Sequence, residues 1–192
     1  MFYANTIYHV YNQSNNYERV FRSDRDYRLF KNKITELLLP RAELLCYCLM
    51  PTHFHFQLVP TENGLSSRAR RNNQQALHAA LRVLLSSYTR IVNDRYRRRG
   101  SLFRAKTKAV PAYTNFIPEG WELRADVPFT QLLPYVKRCF RYIHRNPVKD
   151  GLVGHPMDWT WSSARDYGGL RDEPLCNYEL AQRLVGIRRL TP

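Results

Sequence analysis

His53 and His55 stand two residues apart in the run Leu49-Met50-Pro51-Thr52-His53-Phe54-His55-Phe56-Gln57-Leu58-Val59. Along an extended chain alternate side chains share a face, so the two imidazoles project together, about 6–7 Å apart at the backbone. That spacing lets both converge on one divalent ion, for which neutral imidazole is a common ligand. A solvated polar face that happens to carry two histidines has the same pattern. Far downstream, Tyr142 and Asn146 lie four residues apart in an apolar-periodic stretch, one turn apart on one flank of a helix. Lys137, Arg138, Arg141, Arg145 and Lys149 surround them. A phenol, a carboxamide and a group of cations suit phosphoryl transfer, with Tyr142 as nucleophile and Asn146 as an oxygen ligand beside the histidines. On spacing alone, an amphipathic boundary tyrosine and a helix-end asparagine explain the same residues.

Two rivals arise from neighbouring positions. Cys46 and Cys48 precede the histidines and, if all four side chains shared a face, would make a zinc site. Cysteine on an apolar strand is more often plain core. Tyr135, seven residues before Tyr142 on a similar flank, competes for the role of nucleophile. His9 and His144 read as structural or phosphate-contacting, and Trp159 and Trp161 as packing.

The elements that must hold these groups follow from periodicity and breakers. Residues 7–12 form a β-rich run. Ser23 with Asp26 three residues on predicts a capped helix to about residue 39, with Tyr27, Phe30, Ile34, Leu37 and Leu38 as its apolar stripe. Residues 42–50 predict a second strand that turns at Pro51-Thr52 into the histidine strand. Asn63-Gly64 closes that strand, and a long basic helix is predicted from Leu65 to about Arg97, with Arg68, Arg70 and Arg71 at its start. Residues 102–110 predict a fourth strand with Arg104, Lys106 and Lys108 on alternate positions, hence one face. Residues 111–128 read as an insertion. Pro134 suits the first turn of the tyrosine helix, and Pro147 predicts its end near Asn146. Residues 1–170 are then the catalytic domain and 171–192 a tail with a short helix. The order β-α-β-β-α-β, then a helix, predicts an α+β ferredoxin-like sandwich: a four-stranded antiparallel sheet with helices on one side, plus the C-terminal catalytic helix.

The chain has 192 residues, with Lys+Arg 30 against Asp+Glu 16 and a formal net charge of +14, which points to a polyanionic partner. Thirteen tyrosines supply flat surfaces on which unpaired bases could stack. Four cysteines without a C-x-x-C pair, no charged n-region before an apolar run and no long apolar window predict a cytoplasmic protein, nucleoid-associated if it binds DNA. A single-strand nucleic-acid-binding module without catalysis would share the fold and the charge.

The His-x-His after Leu-Met-Pro, together with Arg141-Tyr142-Ile143-His144-Arg145-Asn146-Pro147-Val148-Lys149-Asp150-Gly151-Leu152-Val153, closely resembles the HUH single-tyrosine transposases, in particular their REP-associated branch. Tyr8-His9-Val10-Tyr11-Asn12, Gly100-Ser101-Leu102-Phe103 and Trp161-Ser162-Ser163 match further pieces in order. The resemblance implies that His53 and His55 hold a divalent metal, Mg²⁺ or Mn²⁺, that Asn146 assists, and that Tyr142 is the nucleophile. It implies cleavage and rejoining of hairpin-forming single-stranded DNA through a 5′-phosphotyrosine, by a monomer or a homodimer. Arg68, Arg104, Lys106, Lys108, Arg141, Arg145 and Lys149 would hold the DNA. The sequence departs from the family at Thr52, where Asn is usual, at Gln13-Ser14 in place of Arg-Gly, and in the length of the basic helix and of 111–128.

Overall fold

The computed structural model describes residues 1–67, 74–118 and 127–190. Its sheet is built from β1 (Tyr8–Gln13), β2 (Ala42–Met50), β3 (His53–Pro60) and β4 (Lys108–Pro111), in the order β2-β3-β1-β4 with every neighbouring pair antiparallel. The helices are α1 (Asp24–Lys33), the single turn α2 (Glu62–Leu65), α3 (Ala76–Arg95), α4 (Phe129–Lys149), the single turn α5 (Ala164–Tyr167) and α6 (Tyr178–Val185). This is the expected α+β ferredoxin-like arrangement.

Strand alternation splits the sheet into two dissimilar faces. Tyr8 and Val10 of β1, Leu44, Tyr47 and Leu49 of β2, and Phe54, Phe56 and Leu58 of β3 pack with Phe30, Leu77, Leu84 and Tyr88 of α1 and α3. The opposite face carries His9, Tyr11, His53, His55 and Gln57, and α4 lies over it. There Val136, Cys139, Phe140 and Ile143 of α4 join Cys46, Cys48 and Met50 of β2 and Ala181 and Val185 of α6. A bulge between Leu44 and Cys46 lets Leu45 and Cys46 both join that second core, which re-aims the rest of β2. The ferredoxin-like helices thus occupy one side and the tyrosine helix the other, directly above the histidines.

Local chemistry explains the boundaries. Asp26 accepts hydrogen bonds from the Ser23 and Arg22 backbone amides at 3.1 and 3.0 Å, which closes the start of α1. Residues Ile34–Leu38 continue α1 as a wider turn, with Leu39 N donating to Ile34 O at 3.0 Å. Gly64 is obligatory after β3, because a Cβ there would sit 1.9 Å from the Arg41 carbonyl oxygen. The free edge of β2 is covered by the 159–163 segment: Trp159 Nε1 donates to Leu49 O, Leu49 N to Trp161 O and Ser163 N to Tyr47 O. Trp161 stacks on Tyr27 with ring centroids 4.4 Å apart, so both tryptophans pack as anticipated.

Three boundaries differ from those predicted. The long helix α3 starts at Ala76 rather than Leu65, because the chain first makes the short turn α2; Arg68, Arg70 and Arg71 lie outside the described residues. The fourth strand is only Lys108–Pro111. Its predicted first half is not a ladder, because Leu102 and Phe103 are both buried in succession and the Asn12 carboxamide takes the Arg104 carbonyl and Thr107 Oγ1. Finally, α4 contains Pro134 beyond its first turn and runs through Pro147 to Lys149. Pro147 removes the amide that would bond the Ile143 carbonyl. The Asn146 side chain lies against that carbonyl instead, and the helix continues for two more residues.

Candidate active site

Register sets the site. In β1–β3 pairing Tyr11 faces His55, His9 faces Gln57 and Gln13 faces His53, and directly opposed residues share a face. The His53 and His55 rings lie 5.1 Å apart at right angles. Tyr142 comes down from α4 with its ring edge-on to His55 at 5.7 Å and to His9 at 6.1 Å. Phe116 closes the other side of Tyr142 at 5.4 Å. Tyr135, the competing tyrosine, lies beneath the Arg138 guanidinium at 5.7 Å.

Gln57 is fully buried and donates from Nε2 to the Val136 carbonyl at 3.1 Å, so the histidine strand is tied directly to the tyrosine helix. Farther along α4, His144 Nε2 pairs with Ser163 Oγ at 2.8 Å, which joins the helix to the segment covering β2. Of its two anticipated roles, His144 fills the structural one.

Burial sets the charge states. It lowers the His53 imidazole below its ordinary range despite the opposing charge of Asp150. It lowers His55 further, with His9 and His53 adding to the effect, and brings His9 to about 4. All three rings are therefore neutral at neutral pH, the state in which imidazole binds a metal. The Tyr142 phenol is raised, first by burial and then by Asp150 and Tyr11, with Asn146 opposing. At rest it is a protonated phenol.

Two neutral histidines on one face fit a divalent-metal site. Among the described residues no group of three or more His, Cys, Asp or Glu side chains could hold a metal ion. The protein's ligands would be His53, His55 and the Asn146 carboxamide, leaving positions for substrate or water. Asn146 is buried and lines, with Tyr142, Arg145, Val148 and Lys149, a cavity of about 370 Å³. The zinc alternative meets its first condition, since Cys48 pairs with His55 and Cys46 with Gln57 on this face. Both thiols are sealed in the core, and burial raises their pKa values, so they remain protonated thiols.

The cations divide. Lys149 places Nζ 5.9 Å from the Tyr142 ring centroid, Arg145 lines the same cavity, and Arg141 is exposed on α4. Lys108 is exposed and opposes Tyr11, so it projects on the face of the site. Arg104 and Lys106 are exposed on the irregular segment before β4; Arg104 lies over the Tyr17 ring at 5.7 Å and borders a separate cavity with Phe2, His78 and Arg82. Arg68 lies outside the described residues. His9, read from the sequence as structural or phosphate-contacting, is buried on this face beside Tyr11, His55 and Tyr142, a placement that its alternation with Tyr11 on the first strand signals.

No protein-family model matches the chain, and no curated protein matches it. Among solved structures it is similar to a REP-associated tyrosine transposase bound to a REP hairpin, with a TM-score of 0.56 and 15% sequence identity over 92% of this chain and 94% of that chain. At that identity the likeness establishes the fold, and it extends over nearly the whole length of both chains.

Proposed function

We propose that the protein is a metal-dependent transposase or nuclease of the HUH single-tyrosine kind, acting on hairpin-forming single-stranded DNA. The observation that carries this reading is the edge contact of Tyr142 with His55, made between a helix and a strand far apart in sequence. The motif resemblance and a fold shared with a hairpin-bound tyrosine transposase support it. Among the described residues no helix is long and apolar enough to cross a membrane, and the net charge of +14 suits a nucleic acid.

The motif resemblance implies the chemistry, and the residues fit it. The Tyr142 phenol oxygen attacks a phosphodiester phosphorus, and the bond from phosphorus to the 3′ oxygen breaks. The phenol proton goes to solvent, and the departing 3′ oxygen takes up a proton, leaving a 3′ hydroxyl and a 5′-phosphotyrosine. A 3′ hydroxyl attacking that phosphotyrosine reverses the exchange and rejoins strands without another energy source. A metal ion held by His53, His55 and Asn146, Mg²⁺ or Mn²⁺, would supply positive charge at the non-bridging phosphate oxygens. Arg145 and Lys149, bordering the Tyr142 cavity, add charge on the protein side. Arg141, Lys108, Arg104 and Lys106 bind the backbone farther out, and Arg68 extends that set in sequence.

The test is incubation of end-labelled, hairpin-bearing single strands with the protein and Mn²⁺ or Mg²⁺, followed by denaturing electrophoresis. A protease-sensitive adduct that chelator abolishes supports the proposal. Binding without an adduct in either metal favours a catalytically silent single-strand-binding module.

A further inference from the structure

Both histidines of the site are held by the same ring nitrogen. His55 Nδ1 lies 2.9 Å from His9 Nε2, and His53 Nδ1 lies 2.9 Å from Thr52 Oγ1. No hydrogen bond among the described residues engages the Nε2 atom of either ring. Among the described residues, the sealed side-chain polar atoms without a partner are His9 Nδ1, Ser14 Oγ and Gln57 Oε1, so the His53 and His55 Nε2 atoms are not among them. A neutral imidazole carries one proton, and the nitrogen that bears it cannot ligate. A ligating histidine therefore needs an outer acceptor that holds the proton on the far nitrogen.

We infer that His9 and Thr52 are positioning residues that accept the Nδ1 protons of His55 and His53, so that both rings present unprotonated Nε2 atoms to the same space. This rests on the metal-site reading above. His9 is suited to the task because its ring is fixed on three sides: it lies edge to edge with His55, planes 23° apart and centroids 5.1 Å apart as an in-plane nitrogen–nitrogen hydrogen bond requires, lies 4.6 Å from Tyr11 and meets Tyr142 edge-on. It is 3% exposed, so water does not compete for the pair. As an acceptor at Nε2, His9 carries its own proton on Nδ1, the sealed and unpartnered atom. The sealed Nδ1–H is a local cost that the surrounding fold absorbs, in keeping with the way functional sites hold unsatisfied groups. Thr52 serves His53 with a hydroxyl that either donates or accepts, which makes its hold on the tautomer the weaker of the two.

The test separates this inference from the metal reading. Two-bond ¹H–¹⁵N correlation spectra of the metal-free, full-length protein read the tautomer of each histidine ring. The expected result is an Nδ1–H tautomer at His55 and His53. His9→Phe keeps an aromatic ring but removes the acceptor; it releases His55 toward the Nε2–H form and weakens Mn²⁺ binding, read by electron paramagnetic resonance of the free ion, about tenfold or more. His9→Gln restores an acceptor and recovers the Nδ1–H signal and most of the affinity. Should His9→Phe fail to fold, His9→Gln and Thr52→Val, compared at His55 and His53, carry the test. An Nε2–H tautomer at His55 in the wild type, or unchanged Mn²⁺ affinity in a folded His9→Phe, overturns the inference. Wild-type protein that shows the Nδ1–H tautomers yet binds no Mn²⁺ supports the tautomer assignment and overturns the metal reading instead.

Discussion

Asn146 is bonded back to Tyr142: its Nδ2 donates to the Tyr142 carbonyl at 2.9 Å and lies 3.5 Å from the Ile143 carbonyl. The carboxamide therefore stands in for the backbone amide missing at Pro147, which leaves its oxygen as the group available to a ligand. One residue both completes the last turn of the helix and fixes the residue proposed as nucleophile.

Substitutions at Asn146 separate these duties. Asn146→Asp puts an oxygen against two carbonyls, and Asn146→Ala leaves the buried Ile143 carbonyl unpaired. Each is expected to lower stability by about 1–3 kcal/mol in urea denaturation, Asp more than Ala. The aspartate variant retains an oxygen ligand, so its Mn²⁺ affinity falls less than that of the alanine variant. Equal stability of both variants and wild type would show that the helix does not depend on this carboxamide.

Gln57 is the tie between histidine strand and tyrosine helix, and its Oε1 is sealed without a partner. Gln57→Met removes both the tie and that unsatisfied oxygen while keeping volume. The expected stability change is small, below about 1 kcal/mol, because the two effects offset. Adduct formation should slow by about tenfold or more, since small displacements of reacting groups cost that much. A stability loss without a rate loss would make Gln57 a plain core residue.

Asp26 governs a separate acid response. Burial alone would raise its carboxyl; hydrogen bonds from Tyr96, the Arg22 backbone and Arg95, with the Arg95 charge, outweigh that and hold it below the ordinary value of 3.8. A native pKa below the unfolded one means that the unfolded chain binds the proton first. The contribution is thus complete above the ordinary value and is lost as pH falls through the native one. Asp26→Asn, which leaves Arg95 without its partner, should cost about 3 kcal/mol at neutral pH and show a shallower further loss below pH ~4. Denaturant titrations at several pH values measure both.

Much of this was legible from pattern. The alternation in 53–59 gave a strand with its two faces correctly sorted, and Ser23 with Asp26 gave the start of α1. What pattern could not supply was set by contacts between distant segments. The continuation of α4 past Pro147 depends on a side-chain substitute, which a rule about proline does not contain. The first half of the predicted fourth strand was lost to the Asn12 side chain, a polar group on another strand. The contact of His9 with His55 emerged only with register, because nothing in Tyr8-His9-Val10 says that Gln57 lies opposite His9 and that His55 is its diagonal neighbour. The order of elements does not say that α4 covers the face opposite α1 and α3, although the histidine face had to be covered by something.

The basic residues make a prediction about salt. If Arg141, Arg145 and Lys149 each contact a phosphate, replacing all three with Met should lower the slope of log affinity against log salt by about 2 for single-stranded DNA. Arg104 and Lys106, on the segment before β4, should change the slope without changing the rate of adduct formation at saturating DNA. A triple variant with an unchanged slope would remove the α4 cations from the DNA interface.

The most direct test locates the covalent bond. Wild type and Tyr142→Phe are each incubated with hairpin-bearing single-stranded DNA and Mn²⁺, and any adduct is digested and mapped by mass spectrometry. The predicted result is one nucleotide-bearing peptide modified at Tyr142, absent from Tyr142→Phe, which still binds the hairpin with affinity close to wild type. An adduct at Tyr135 or any other residue, or undiminished adduct in Tyr142→Phe, would contradict the assignment of Tyr142 as nucleophile.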